Sequence, residues 1–468
     1  RQARDSVGAE GARFDPLALS TVMDHSRGTR AMSPQRRERI ERAREVLRAY
    51  RPDPVLVRFV HLGTVEGEWL AESRDLEDVS DPDPCARATA LFDREAERLS
   101  EVFSAVRIAR LEMDGIYDPA LHDPWFANFD WEGFTPEELL LVPSVIALES
   151  ADRLAGEDMR SFSRLLSSGR PVQVLVRVQP SNNPGAETDE NPFQHYRTEL
   201  GYLGLSHRQA AVAQSSSARH RHLMECFLSA LDATRTSLHL INTGLRAPHD
   251  LVPLNAWLVA GAAIEGRAHP FFRADPKPDD CEPAPVDIDG NPEPGADWPI
   301  HAFEYLDENG IQVTQELAFT FADYCLLIER LRDHFRPIPP GCDSEALIPM
   351  QDYLAMAPDQ AYRKVPFVWA VDGNAILHRL VVSRELALAC LDRLNFWRTL
   401  QAMAGVRNRH VDLAVEQTRA EERGRAAADR ERLLAEHAAE IERVRCQAAG
   451  EAMQRLTDVL LGMDLPSG

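Results

Sequence analysis

A chain of 468 residues can bury a large core and has room for two or three structural units. A formal net charge of -22 at pH 7 excludes non-specific binding to nucleic acid, whose phosphates would be repelled. No apolar run reaches the ~20 residues of a membrane helix, no charged-then-apolar leader opens the chain, and the seven scattered cysteines include no Cys-x-x-Cys pair, so close-spaced zinc and iron–sulfur sites are excluded and a reducing, cytoplasmic location is expected.

Fifty of the 52 basic residues are arginine, with lysine only at Lys277 and Lys364. That is the codon bias of a GC-rich, bacterial genome, and it makes any single arginine weak evidence of a binding device. In the polar region 1–50, SPQRRERIERAREVLRAY reads as a helix with Ser33 as N-cap and Pro34 at its first position. PVLVRFVHL (54–62) reads as a strand. DVSDPDP (78–84) reads as a loop leading into a long helix, where Ala88, Phe92, Ala96, Leu99, Val102, Phe103 and Val106 mark a buried face. The aromatic group WFANFDW (125–131) reads as core or interface anchors.

From Pro143 strand and helix alternate. VPSVIALES is a strand, MRSFSRLLSSG a helix closing on Gly169, PVQVLVRV (171–178) a strand, HRHLMECFLSALDAT a helix and SLHLINTG (237–244) a strand. Residues 245–300 read as irregular, with a Pro- and Asp-rich loop at 272–297. HAFEYLDENGIQVTQE predicts a hairpin turning at Asn309-Gly310, and VPFVWAVDGNAILHRLVV another at Asp372-Gly373. The stretch between them, Leu317 to Met356, reads as mostly helical, and a further helix follows Ser383 as N-cap. The tail from Val411 to Met463 is a proline-free helix, on the order of 80 Å long if continuous. On it Ala449, Met453, Leu456, Leu460 and Met463 step by four and three in a coiled-coil pattern. Such a helix either binds a partner or second copy, or lies on its own domain.

These elements predict an α/β protein: a mostly parallel sheet flanked by helices, with β-hairpin additions and a long C-terminal helix. The expected regions are 1–142 (helical or α+β), 143–300 (the α/β region), 301–408 (hairpins plus helices) and 409–468 (C-terminal helix or coiled coil).

Three pieces carry a family resemblance: LLSSGRPVQVLV (165–176), SNNPG (181–185) and ELGYLGLSHRQAAVAQSSSARHRHLMECFLSALDATRTSLHLINTG (199–244). In order and content, residues 150–244 resemble the thiamine-diphosphate domain of pyruvate:ferredoxin (flavodoxin) oxidoreductases. The resemblance implies a thiamine-diphosphate-domain-like fold, a Gly-Asp-Gly motif whose aspartate holds Mg²⁺, and a loop that completes the metal site. Here Ser150, Ala151 and Asp152 stand at the Gly-Asp-Gly positions, and an alanine offers no oxygen to a hard cation. A retained site would recruit Glu149 or Asp152, with Ser181, Asn182 and Asn183 in the shortened loop, though asparagines in a Pro-Gly loop usually serve as turn formers. Loss of the site is the expectation. The resemblance then implies a degenerate relative that serves as a structural or regulatory subunit, with no resident cofactor. One alternative is an active component with thiamine diphosphate and Mg²⁺ at an altered metal site, acting on a 2-oxoacid and passing electrons to a separate ferredoxin-like chain. Another is a coiled-coil adaptor.

Other constellations are weaker. His207, His220, His222 and Cys226 have the types of a zinc site, but helix residues two apart face apart, so a surface helix is expected and no metal. DIDGN (287–291) lacks the later ligands of a calcium loop. Trp397 beside Arg398 could be a partner hot spot, and the buried-core reading is favoured.

Overall fold

The computed structural model describes residues 32–63, 73–179, 192–193, 196, 198–231, 233–244, 254–276, 286–306, 310–339, 341–342 and 344–462. They form two compact units, one of residues up to 292 with 298–393, the other of 293–297 with residues from 394 on.

In the first unit, β1 (Val57–His61), β2 (Leu76–Ser80), β3 (Ser144–Ser150), β4 (Val172–Val178), β5 (Ala211–Ser216), β6 (Ser237–Asn242) and β7 (Phe272–Ala274) build one sheet. Its order is β2-β1-β3-β4-β6-β5-β7. All neighbours are parallel except β5 and β7. The α/β expectation holds, including the mostly parallel sheet and its flanking helices. Val172, Val174 and Val176 are fully buried and Gln173 on the other face nearly so, as a strand covered on both sides requires. The division drawn at 142/143 runs between strands of this one sheet, because β1 pairs with β2 on one side and β3 on the other.

Local signals explain most elements. Ser33 caps the helix Pro34–Ala49 by accepting from the Arg36 N–H at 3.2 Å. Asp83 caps the helix Pro84–Met113, which lays Ala88, Phe92, Ala96, Leu99 and Phe103 into the core. Val106, expected on that face, is 40% exposed, and Ala105 is buried instead. Near the end of the long helix, the Glu112 carboxylate accepts from Arg36 and Arg39 at 2.7 and 2.8 Å and fastens the two helices together. Trp131 packs edge-on against Phe92, whereas Trp125, read with it as an anchor, is exposed.

Three expectations are corrected. The stretch from Leu317 to Met356, read as mostly helical, also holds strands at Phe335–Pro337 and Leu347–Pro349 between helical pieces of six residues. The loop assigned to 78–84 begins with residues of β2, whose polar LEDVS is tolerated because an edge strand is only half covered. The irregular region 245–300 contains the helix Leu254–Glu265 and β7. Its proline-rich flanks masked an apolar helix, NAWLVAGAAIE.

Both hairpins form. β8 (Ile300–Leu306) and β9 (Gln312–Ala318) are antiparallel, with Gly310 at φ +73 beside Asn309, which lies outside the described residues. β10 (Phe335–Pro337), β11 (Leu347–Pro349), β12 (Val365–Val371) and β13 (Leu377–Val382) form a second sheet in the order β10-β13-β12-β11. Asp372 closes the turn between β12 and β13 by accepting from the N–H groups of Asn374 and Ile376.

In the second unit Trp397 is fully buried and donates to the Ala296 carbonyl at 2.8 Å, a core anchor as expected. Arg398 and Arg407 both grip Asp297. The helix Arg409–Leu461 spans 53 residues, and every described side chain from 410 to 462 is exposed, apolar ones included. No helix among the described residues is long and apolar enough to cross a membrane.

Candidate functional site

Open parallel sheets present their loops, and their ligand sites, at the carboxyl ends of the strands. Here the ends of β3, β4, β6 and β5 surround a cavity of about 90 Å³. The turn of helix that follows β3, Ala151–Leu154, contributes Ala151 and Asp152; β4 contributes Val178, and β6 contributes Asn242. Burial pushes the Asp152 carboxyl up to about 6, against the pull of Arg177 and Arg330.

Polar side chains fill most of the space. Arg393, 2% exposed, forms an ion pair with Glu199, 18% exposed. Burial still raises the Glu199 carboxyl above its ordinary value, with Arg393 opposing. His269 places Nε2 3.0 Å from the Ser215 carbonyl and is held neutral, its pKa pushed down to about 4 by burial. Gln214 donates to the Pro270 carbonyl at 2.9 Å. The Tyr196 hydroxyl donates to that of Tyr324. Asn242 Oδ1 accepts from the Gly244 N–H at 2.8 Å, and its buried Nδ2 has no partner among the described residues. Close packing above the strands needs glycine: a Cβ on Gly201 would stand 2.6 Å from Phe272 and 3.0 Å from Gln214.

Of the sequence-derived site residues, Glu149 and Asp152 are described, and they meet different surroundings. Glu149 is buried on β3 beside Cys85, in the first turn of the helix Pro84–Met113, and near Asp158. Burial and Asp158 push its carboxyl up to about 7, while Cys85 and Arg153 oppose. Of these two, Asp152 lines the strand-end cavity. Ser181, Asn182 and Asn183 lie outside the described residues.

The described residues do not fit thiamine diphosphate with Mg²⁺. Ala151 supplies no donor, of the two lining carboxyls Glu199 is already paired with Arg393, and small-molecule sites measure ~300–1,000 Å³ where this cavity offers about 90 Å³. Among the described residues, no group of three His, Cys, Asp or Glu side chains is placed to hold a metal. His222 and Cys226, one helical turn apart, approach to 3.8 Å, but His222 stacks on Phe271 and no third ligand joins them. In DIDGN, Asp287 pairs with Arg273, and Asn291 both donates to and accepts from the Phe271 backbone, so the turn is structural.

Sequence reasoning missed Arg393, Glu199, His269 and Asn242. Two signals were available: an asparagine ending the apolar strand SLHLIN, and an arginine within the apolar helix LALACLDRLNFW. No protein-family model matches the chain, and no curated protein does.

Proposed function

We propose that this chain is a 2-oxoacid:ferredoxin oxidoreductase-like protein that has lost its thiamine diphosphate and Mg²⁺ site and serves as a structural or regulatory subunit, associating through its C-terminal helix. The observation that carries the reading is the strand-end cavity, where the Arg393–Glu199 pair and two tyrosines leave about 90 Å³ beside Ala151. The order of elements supports the resemblance: the segments at 144–150, 172–178, 211–216 and 237–242 are all parallel strands of one sheet. The association half rests on exposure. Met453, Leu456 and Leu460 are 69%, 58% and 67% exposed, and Ala449 lies in the same exposed run, while Met463 falls outside the described residues. Unpaired cysteines, four of them buried, suit a reducing, cytoplasmic compartment.

Calorimetric titration with thiamine diphosphate and Mg²⁺ tests the first half. No heat of binding up to about 1 mM is expected; micromolar binding that Asp152→Asn abolishes would establish the alternative, an active component with an altered metal site. Light scattering of the full chain tests the second half. A multimer that Leu456→Asp with Leu460→Asp converts to monomer is expected, and a wild-type monomer lacking any partner in its native complex would overturn association.

A further inference from the structure

A groove of about 520 Å³ lies between β9 and β12. Residues 315–320 and 367–371 line it in unbroken runs. Successive strand side chains point to opposite faces, so an unbroken run lines a groove only where the strand turns its edge toward it. Those edges are unpaired among the described residues. β9 pairs with β8 alone, and β12, paired with β13 along one side, meets β11 on the other only from Val365 to Phe367. Two rows of backbone donors and acceptors therefore border one slot. An unpaired row of this kind is a template for a further strand.

The side chains define what strand it would take. Phe303, Phe319, Met350 and Trp369 supply apolar and aromatic surface. The charged lining is Glu316, Asp323 and Asp352, with no lysine or arginine among the described residues that line it. Asp323 is occupied in capping Thr320, at 2.7 and 2.6 Å, and His301 leans on Glu265 at 3.1 Å. Glu316 and Asp352, both exposed, remain to meet a cation.

We propose that this groove receives an extended, basic peptide segment of a partner protein, added as a strand along β9, with apolar side chains alternating with arginine or lysine. Main-chain hydrogen bonds to the β9 edge give affinity, alternate side chains enter the aromatic pocket, and the acidic rim selects the charge. Aromatic faces such as Trp369 also favour a cation laid over them.

The probe is a fluorescein-labelled, acetylated octapeptide of alternating arginine and valine, read by fluorescence polarisation on the full chain. Three results are expected together. The peptide binds; its fully N-methylated form, unable to donate main-chain hydrogen bonds, binds at least about tenfold more weakly; and Glu316→Lys weakens binding by a similar factor. Hydrogen exchange then slows at the amides of residues 313–318. Equal binding of the N-methylated peptide would show that the groove takes an amphipathic cation rather than a strand, and would overturn the proposal. So would the absence of binding at about 1 mM peptide, or binding indifferent to Glu316→Lys. Thermal melting of that exposed-site variant separates lost affinity from lost folding.

Discussion

Replacing Glu149 by glutamine should make the protein more stable at alkaline pH and leave it unchanged in acid. Glu149 is 7% exposed, and its Oε1 has no hydrogen-bond partner among the described residues. Burial first, then Asp158 and, less strongly, Asp83, penalise its charge; the Cys85 thiol and Arg153 relieve only part of this. The carboxyl consequently ionises near 7 in the folded state instead of near 4.5. The native state holds this proton more tightly than the unfolded chain, so folding loses stability as pH rises from about 4.5 through about 7. At ~1.4 kcal/mol per pKa unit, the full penalty is on the order of 3 kcal/mol above that window. Glutamine has nearly the same volume and no charge. Urea unfolding of wild type and Glu149→Gln at pH 5, 6.5 and 8 reads the difference directly. A gap that opens from near zero to ~2–3 kcal/mol with rising pH is expected. Parallel profiles, or a variant less stable than wild type at pH 8, would refute the assigned burial and charge environment.

Two further perturbations probe the packing around the strand ends. Arg393→Met strands the Glu199 carboxylate in a buried site and should cost ~3–5 kcal/mol in guanidinium unfolding; adding Glu199→Leu should recover most of the loss, and failure to recover it would show that the pair is not the source. Gly204→Ala brings a Cβ to 2.8 Å from Leu238 and 2.9 Å from Val212 and should destabilise by ~1–3 kcal/mol, while Gly261→Ala, whose Cβ would meet nothing closer than Ala218 at 3.8 Å, should stabilise its helix by up to ~1 kcal/mol. Calorimetric melting of both variants checks the opposite signs.

What was legible in the sequence was periodicity and punctuation. Ser33, Gly169 and Ser383 mark helix ends by chemistry confined to a few neighbouring residues, and each does so in the fold. The run PVQVLVRV is apolar enough to be buried on both faces, and it is the central strand β4. β2 was illegible because an edge strand needs little apolar surface, and the helix Leu254–Glu265 because its boundaries lie among prolines. The site was less legible still. Arg393 and Glu199 are 194 residues apart, and nothing local to either announces the pairing. Glu149 and Asp152 stand three positions apart, yet one meets the long helix and the other the cavity, because the strand ends and the chain turns between them.

The manner in which the strand-end cavity is filled bears on what the protein can do. A catalytic centre needs a group whose protonation changes near neutral pH and that is free to meet a ligand. Arg393 and Glu199 satisfy each other, and His269 is neutral far below that range and engaged with Ser215. Burying such polar groups is tolerable because their hydrogen-bonding needs are largely met within the protein. Among the described lining residues, Asp152 is the carboxyl outside an ion pair, and burial pushes its pKa up to about 6. A catalytic role at this end of the sheet would rest, among the described residues, on Asp152. The space that the described residues leave beside Asp152 is about 90 Å³, below the ~300–1,000 Å³ of small-molecule sites. On the proposed reading, this polar filling is what loss of the cofactor site leaves behind, and recognition then falls to the exposed C-terminal helix and the open strand edges.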